Sequence, residues 1–164
     1  MGTRSRRLPM DLGAICLKNG RVRFRVWAPH CRTVEVDIVW PESRTLPLRP
    51  APDGYFVGST RGEAGLRYFY RLDGERRRPD PASRALPEGV HGPSEVVDAE
   101  AFAWTDAGWR GMPLRDMVIY ELHVGTFTPE GTFEAVIPRL GRLKELGVTA
   151  VELMPVASFP GSRN

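Results

Sequence analysis

Apolar and polar residues alternate with period two through the first half of this chain, and the period changes in its last third. In AICLKNGRVRFRVWAP (residues 14–29), Val22, Phe24 and Val26 alternate with Arg21, Arg23 and Arg25. That spacing puts three apolar side chains on one face of a strand and three guanidiniums on the other. Asn19-Gly20 precedes the strand and predicts a hairpin, since both residues tolerate positive φ. Pro29 ends it. TVEVDIVW (residues 33–40) repeats the pattern, with Val34, Val36, Ile38 and Trp40 inward and Glu35 and Asp37 outward. Carboxylates on that outer face can pair with arginines of a neighbouring strand, at about 0.2–1 kcal/mol per pair. Pro52-Asp53-Gly54 marks another turn. LRYFYRLDGE (residues 66–75) sets Leu66, Tyr68, Tyr70 and Leu72 on one side and turns at Asp73-Gly74. Short strands with turn signals every ~8–12 residues predict a sandwich or barrel. The expectation is an antiparallel, immunoglobulin-like β-sandwich over residues 13–88, preceded by a disordered basic tail, residues 1–12.

Residues 76–98, RRRPDPASRALPEGVHGPSEVVD, hold four prolines, two glycines and no sustained period. Proline fixes φ and removes a donor, so an irregular crossing segment is expected, with residues 89–112 as a linker. Trp104 and Trp109 read as packing between two domains rather than as a sugar platform. From residue 113 a second domain starts. MVIYELHV (residues 117–124) is a near-continuous apolar run broken only by Glu121 and His123, the pattern of a strand in a parallel sheet. Phe133, Val136, Ile137, Leu140, Leu143 and Leu146 then draw one helical stripe, with Thr132 as N-cap and Gly147 just past the end. Pro138 interrupts that stripe, at a cost of ~3 kcal/mol inside a helix, and Gly141 adds ~1 kcal/mol. A kink near Pro138, or a start shifted toward it, is expected. VTAVELMPV (residues 148–156) follows as a second buried strand. Strand, helix and strand together predict a right-handed βαβ crossover.

Composition narrows the function classes. The chain has 164 residues, 41% hydrophobic, and no apolar run near the ~18 residues of a membrane span. MGTRSRRLPM is basic without a following apolar region, so it is not read as a secretory signal. A cytoplasmic location is expected, and no membrane partner. Cys16 and Cys31 lack metal-ligand spacing and read as reduced thiols. The net charge of +3 divides unevenly: residues 1–110 hold 18 Lys+Arg against 14 Asp+Glu, and residues 111–164 hold 5 against 6. The arginines scatter over several strands and a turn. That distribution suits a solvated face and no nucleic-acid partner.

Candidate chemistry is sparse. Glu121 and His123 stand two apart on a strand and could act as a base with its orienting partner, but structural hydrogen bonding is the reading favoured. Glu152 on the next strand raises the question of paired carboxylates, which in a retaining glycosidase lie ~5–5.5 Å apart. The three histidines, His30, His91 and His123, form no triad with a serine, and no phosphate-cradling glycine motif and no metal cluster is visible. Neither a cofactor nor a metal is expected. Trp27, Trp40, Tyr55 and Tyr68 are a candidate flat sugar face; most of them fall on inward sides of strands, so packing is the favoured role.

VIYELHVGTFTPEGTF (residues 118–133), followed by LGVTAVELMPVASFPGSRN (residues 146–164), resembles the start of the catalytic barrel in the α-amylase superfamily of glycoside hydrolases. Within it, RPDPASRALPEGVHGPSEVVD and HVGTFTPEGTF resemble the malto-oligosyltrehalose trehalohydrolase family. VRFRVWAP and YFYRLDG are similar to the N-terminal β-sandwich that this family shares with glycogen-branching and debranching enzymes. The resemblance spans residues 12–164. It implies hydrolysis of the α-1,4 bond beside the terminal trehalose of maltooligosyl trehalose, by an aspartate nucleophile, a glutamate acid/base and a supporting aspartate. Those groups come from the fourth, fifth and seventh barrel strands, so the resemblance gives this chain no catalytic residue and leaves its substrate-binding residues unassigned. The fold implied is a β-sandwich followed by the first βαβ unit of a truncated (β/α)8 TIM barrel in residues 113–164. Such a barrel takes about 200–250 residues. Met117, Ile119, Val151, Leu153 and Met154 are therefore expected to stay partly exposed beside open strand edges, through which self-association is possible. The chain is expected to be a fragment, inactive alone, of an enzyme acting on α-glucan; the alternative is an α-glucan-binding sandwich module of a branching or debranching type of enzyme.

Overall fold

The structure is a computed structural model that describes residues 12–161. The tail expected over residues 1–12 lies, apart from Leu12, outside the described residues. The chain divides into two compact units, with the boundary between Ala103 and Trp104; the second runs over Trp104–Ala157.

The first unit is a sandwich of two antiparallel sheets. β1 (Gly13–Leu17), β2 (Arg21–Trp27), β5 (Arg49–Ala51) and β6 (Tyr55–Arg61) make one sheet in the order β1-β2-β6-β5. β3 (Val34–Trp40), β4 (Arg44–Pro47), β7 (Arg67–Leu72) and β8 (Arg76–Arg78) make the other in the order β4-β3-β7-β8, with β9 (Ser94–Glu95) also on β7. The period-two pattern decides which side chains meet between them. Val22, Phe24, Val26 and Phe56 from the first sheet and Val34, Val36, Ile38, Tyr68 and Tyr70 from the second are buried in one cluster. Phe24 meets Tyr68 edge to face at 5.0 Å, and Tyr68 meets Tyr70 at 5.7 Å. Such contacts add ~0.5–1.5 kcal/mol beyond burial alone. Gly58 sits where β6 passes under Leu48; a Cβ there would lie 2.6 Å from Leu48 Cδ2.

The turns follow the sequence. Lys18, Asn19 and Gly20 connect β1 to β2, a 3-10 turn at Pro52–Gly54 joins β5 to β6 with Asp53 at φ 62°, and Asp73-Gly74 turns β7 into β8. Two expectations change. The sandwich does not end at residue 88, because β9 pairs with β7 and Val96 is buried in the core. Trp40 does not face inward. Ile38 pairs with Tyr68 and Trp40 with Arg67, so β3 carries one extra residue and the alternation flips before Trp40.

In the second unit β10 (Ile119–Leu122) and β11 (Ala150–Leu153) pair in parallel, Ile119 against Ala150 through Leu122 against Leu153. Between them a short helical turn precedes the predicted helix, which is itself broken into two pieces. α1 (Val124–Phe127) is a short turn; α2 (Phe133–Val136) and α3 (Leu140–Glu145) are separated by a 3-10 turn at Ile137–Arg139 that contains Pro138. The proline has no N–H to give to the ladder, and the helix tightens there. Thr132 caps α2, its Oγ1 accepting from the Ala135 amide, and Gly147 follows α3 at φ 99°. Only Leu122, Val124 and Val136 form a buried cluster, with Phe127 packed on it. Ile119 is 49% and Leu153 43% exposed, the outcome expected for a parallel pair with little cover on its faces. Trp104 and Trp109, expected to be packed, are 73% and 71% exposed.

The two regimes predict different mutational costs. Ile38→Ala should lower the unfolding free energy in urea by about 2–5 kcal/mol, because it opens a cavity in the sandwich. Leu146→Ala, at a site exposed to solvent, should change it by less than about 0.5 kcal/mol.

Candidate functional site

The carboxylates singled out by sequence are brought side by side. Glu121 on β10 and Glu152 on β11 are register partners in the parallel pair, so they project to the same face from adjacent strands. Both are exposed. His123 has left the strand: it is the residue before α1, with Nδ1 3.4 Å from Thr126 Oγ1. Glu121 and His123 therefore do not form the strand-borne pair that their spacing suggests, because β10 ends at Leu122. Among the described residues no group of three or more His, Cys, Asp or Glu is placed to hold a metal ion. Cys16 and Cys31 are free thiols, and burial pushes the Cys16 thiol up.

The aromatics proposed as a sugar face separate. Tyr68 is fully buried in the core. Trp27 is 59% and Trp40 58% exposed, which corrects the inward placement expected for most of this set. Trp27 falls on the face of Arg21, Arg23 and Arg25, opposite Tyr55 across the β2–β6 ladder. Its indole Nε1 donates to the Asp53 carbonyl at 3.0 Å, and the Arg25 guanidinium lies 4.3 Å from the centre of the Tyr55 ring. Trp40 lies on the other sheet.

Two polar clusters were not singled out from sequence. Asp37 is buried on the outer side of β3 and accepts from Arg71 Nη2 at 2.7 Å and from Arg77. Burial opposes its charge, but hydrogen bonds and attraction from the two guanidiniums win and hold its carboxyl below the usual range. The alternation predicted an acid–arginine face; it could not show that one carboxylate would serve two arginines. Asp80 is buried inside the sandwich, where it accepts from Tyr68 Oη at 2.5 Å and from the Ala82 amide at 2.7 Å, while the Asp80 amide donates to Ser94 Oγ. Burial raises the Asp80 carboxyl against those bonds. The only sequence signal was an acid between two prolines, Pro79 and Pro81. This network ties the irregular segment after β8 to the core.

Comparison with known proteins then gives the geometry a family. No protein-family model matches the chain. A malto-oligosyltrehalose trehalohydrolase of Deinococcus radiodurans is 48% identical over 153 residues, 93% of this chain and 25% of the relative. Seven curated relatives of that name are 38–48% identical. An α-amylase-type protein of Salmonella typhimurium matches with a TM-score of 0.84 at 42% identity, covering 93% of this chain and 26% of that one. A pullulanase of Anoxybacillus, solved with maltotetraose, matches with a TM-score of 0.74 at 25% identity over 92% of this chain and 26% of that one. A sandwich followed by a parallel strand pair, with these relatives, makes this chain a member of the α-amylase superfamily of glycoside hydrolases. Within it the chain belongs to the malto-oligosyltrehalose trehalohydrolase family, and it spans about a quarter of the length of the curated relatives it matches.

The Asp37 cluster sets a pH dependence. Its folded-state pKa lies below the unfolded value of about 4, so its contribution is complete above that pH and is lost as pH falls through the folded value. Asp37→Asn should therefore melt at a lower temperature than the parent at neutral pH. The gap should close as pH drops below about 4. A gap in thermal midpoint that stays constant across the acid range would contradict this.

Proposed function

We propose that this chain is the sandwich-bearing segment of a malto-oligosyltrehalose trehalohydrolase, an enzyme that hydrolyses the α-1,4 linkage of maltooligosyl trehalose to release trehalose. On this reading residues 113–164 open the catalytic (β/α)8 barrel, with β10 as its first strand and β11 as its second. The observation that carries it is the parallel β10–β11 pair, in which Ile119, Val151 and Leu153 stay exposed, in a chain that matches trehalohydrolases at up to 48% identity over a quarter of their length. Two strands of a parallel sheet need cover on both faces. The further strands and helices of the longer relatives would supply it, and with it the acids that do the chemistry. Glu121 and Glu152, exposed and without a third partner, take no catalytic role here. The chain contributes no catalytic group of its own, and its α-glucan partner is met through the complete enzyme. Free Cys16 and Cys31 are in keeping with a reducing, cytoplasmic setting. The uncovered edges of β10 and β11 are also where copies of the chain would associate.

Joining the chain to the part of the Deinococcus radiodurans trehalohydrolase that it does not match provides the test. The chain alone should release no trehalose from maltooligosyl trehalose, while the joined protein should do so at a rate within reach of the parent relative. Turnover by the chain alone, or a folded joined protein that releases maltose and longer sugars but no trehalose, would overturn the reading.

A further inference from the structure

β2 sends its two kinds of side chain to opposite faces of its sheet. Val22, Phe24 and Val26 enter the core, so Arg21, Arg23, Arg25 and Trp27 stand on the outer face. The register extends that face to both sides. In β6, Arg61 is opposite Arg21 and Val57 opposite Arg25; in β5, Arg49 is opposite Val57. In β1, Leu17 is opposite Arg21 and Ile15 opposite Arg23. Five arginines thus share one sheet face, and the four strands that make it contain no lysine, aspartate or glutamate. The fold gathers arginines that the sequence spreads over residues 21–61.

The other sheet is built differently. There Arg71 and Arg77 both bond Asp37, and Arg67 bonds Glu95 and Glu88, each at 3.0 Å. On the outer face of the first sheet Arg21 and Arg61 stand directly opposite each other, an arrangement that costs stability and that an anion laid over the pair relieves. Two of these guanidiniums are held in place. Arg21 Nη2 donates to the Ser59 carbonyl at 2.8 Å and to Ser59 Oγ at 2.9 Å, and the Arg25 guanidinium is stacked on the Tyr55 ring. Side chains ordered in advance lose less freedom when a partner arrives.

Composition and spacing choose the class of partner. Ile15, Leu17 and Val57 are half-buried among the arginines, so aliphatic surface and guanidiniums share the face. Protein interfaces are enriched in arginine and aromatic residues and depleted of lysine, aspartate and glutamate, as this face is. A single-stranded nucleic acid is held instead in a groove with open aromatic platforms. Here the surface is a sheet face, and of its two aromatics Tyr55 is covered by Arg25. Arg21, Arg23 and Arg25 recur at every second residue, about 6.4–6.8 Å apart along the strand. Carboxylates on alternate residues of another extended strand repeat at the same distance.

We propose that the outer face of the β1-β2-β6-β5 sheet docks a protein partner that presents carboxylates at alternate positions of an extended strand. The partner lies across the face, as one sheet packs on another, with its acids over the arginine row and its apolar atoms on Ile15, Leu17 and Val57. This surface is independent of the reaction that the complete enzyme carries out.

A β-hairpin peptide closed by a disulfide, with glutamates at alternate positions of one face, is the probe, titrated calorimetrically into the 164-residue chain. It should bind saturably, and more weakly as salt is raised. The same hairpin with glutamine in place of each glutamate should not bind. Arg49→Glu together with Arg61→Glu should weaken binding by at least about tenfold. Both side chains are exposed, and a thermal melt establishes that the variant is folded. Arg76→Glu together with Arg78→Glu makes the same change of charge on the other sheet and should leave binding nearly unchanged. No binding of the glutamate hairpin by the folded parent, or an equal loss in the two charge-reversed variants, overturns the docking surface. Tighter binding of oligo(dT) or of phosphatidylserine vesicles than of the hairpin, lost in the Arg49→Glu, Arg61→Glu variant, overturns the choice of a protein partner.

Discussion

Contact between two sheets, face against face, is what the first unit depends on. Phe24 and Tyr68 meet edge to face in the middle of it, with Val22, Val34, Val36 and Ile38 buried around them. Each such side chain contributes roughly 1.5–3 kcal/mol by leaving water. A carboxylate is admitted with partners: Asp80 enters the core bonded to Tyr68, Ser94 and the Ala82 amide. That network fastens the irregular segment after β8, which reaches back across the molecule when Arg84 Nη1 donates to the Ala14 carbonyl at 3.0 Å. A core closed in this way fixes the turns at its ends.

The second unit lacks any such contact. β10 and β11 form a regular parallel ladder, but the core that accompanies them is one cluster of three buried side chains, with Leu143 buried apart from it. Leu146, Ile137 and Val118 stay in solvent although they belong to the apolar pattern of the sequence. A parallel pair is stable when helices or further strands cover it, and the same strands read as apolar runs for that reason. On the function proposed above, the unit is the opening of a larger α/β sheet. On that reading hydrolysis belongs to the elements that would complete the sheet.

Much of this was legible in the sequence. Period-two alternation gave the core residues of β2, β3 and β7, and Asn19-Gly20, Pro52-Asp53-Gly54 and Asp73-Gly74 gave the turns between strands. Thr132, Pro138 and Gly147 marked the start, break and end of the helical segment. What escaped has physical causes. One extra residue in β3 reverses the facing of Trp40, and a bulge has no signature in hydropathy. Trp27 sits in step with Arg21, Arg23 and Arg25, so its facing was available but was outweighed by its size and apolar character. His123 was assigned to a strand that stops one residue earlier. Asp37 and Asp80 gather partners from β7, β8 and β9, and no local pattern announces a side chain that bonds 34 or 40 positions away.

Native-state hydrogen exchange of the chain would test the central claim, that the parallel pair has a ladder without a core. The amides of Val22, Val36 and Tyr70 should exchange only through global unfolding. Those of Tyr120, Leu122, Val151 and Leu153 should exchange faster by at least about a hundredfold, through local opening. Protection of the β10–β11 amides equal to that of the sandwich would mean that the second unit closes on a core of its own, and would contradict the account.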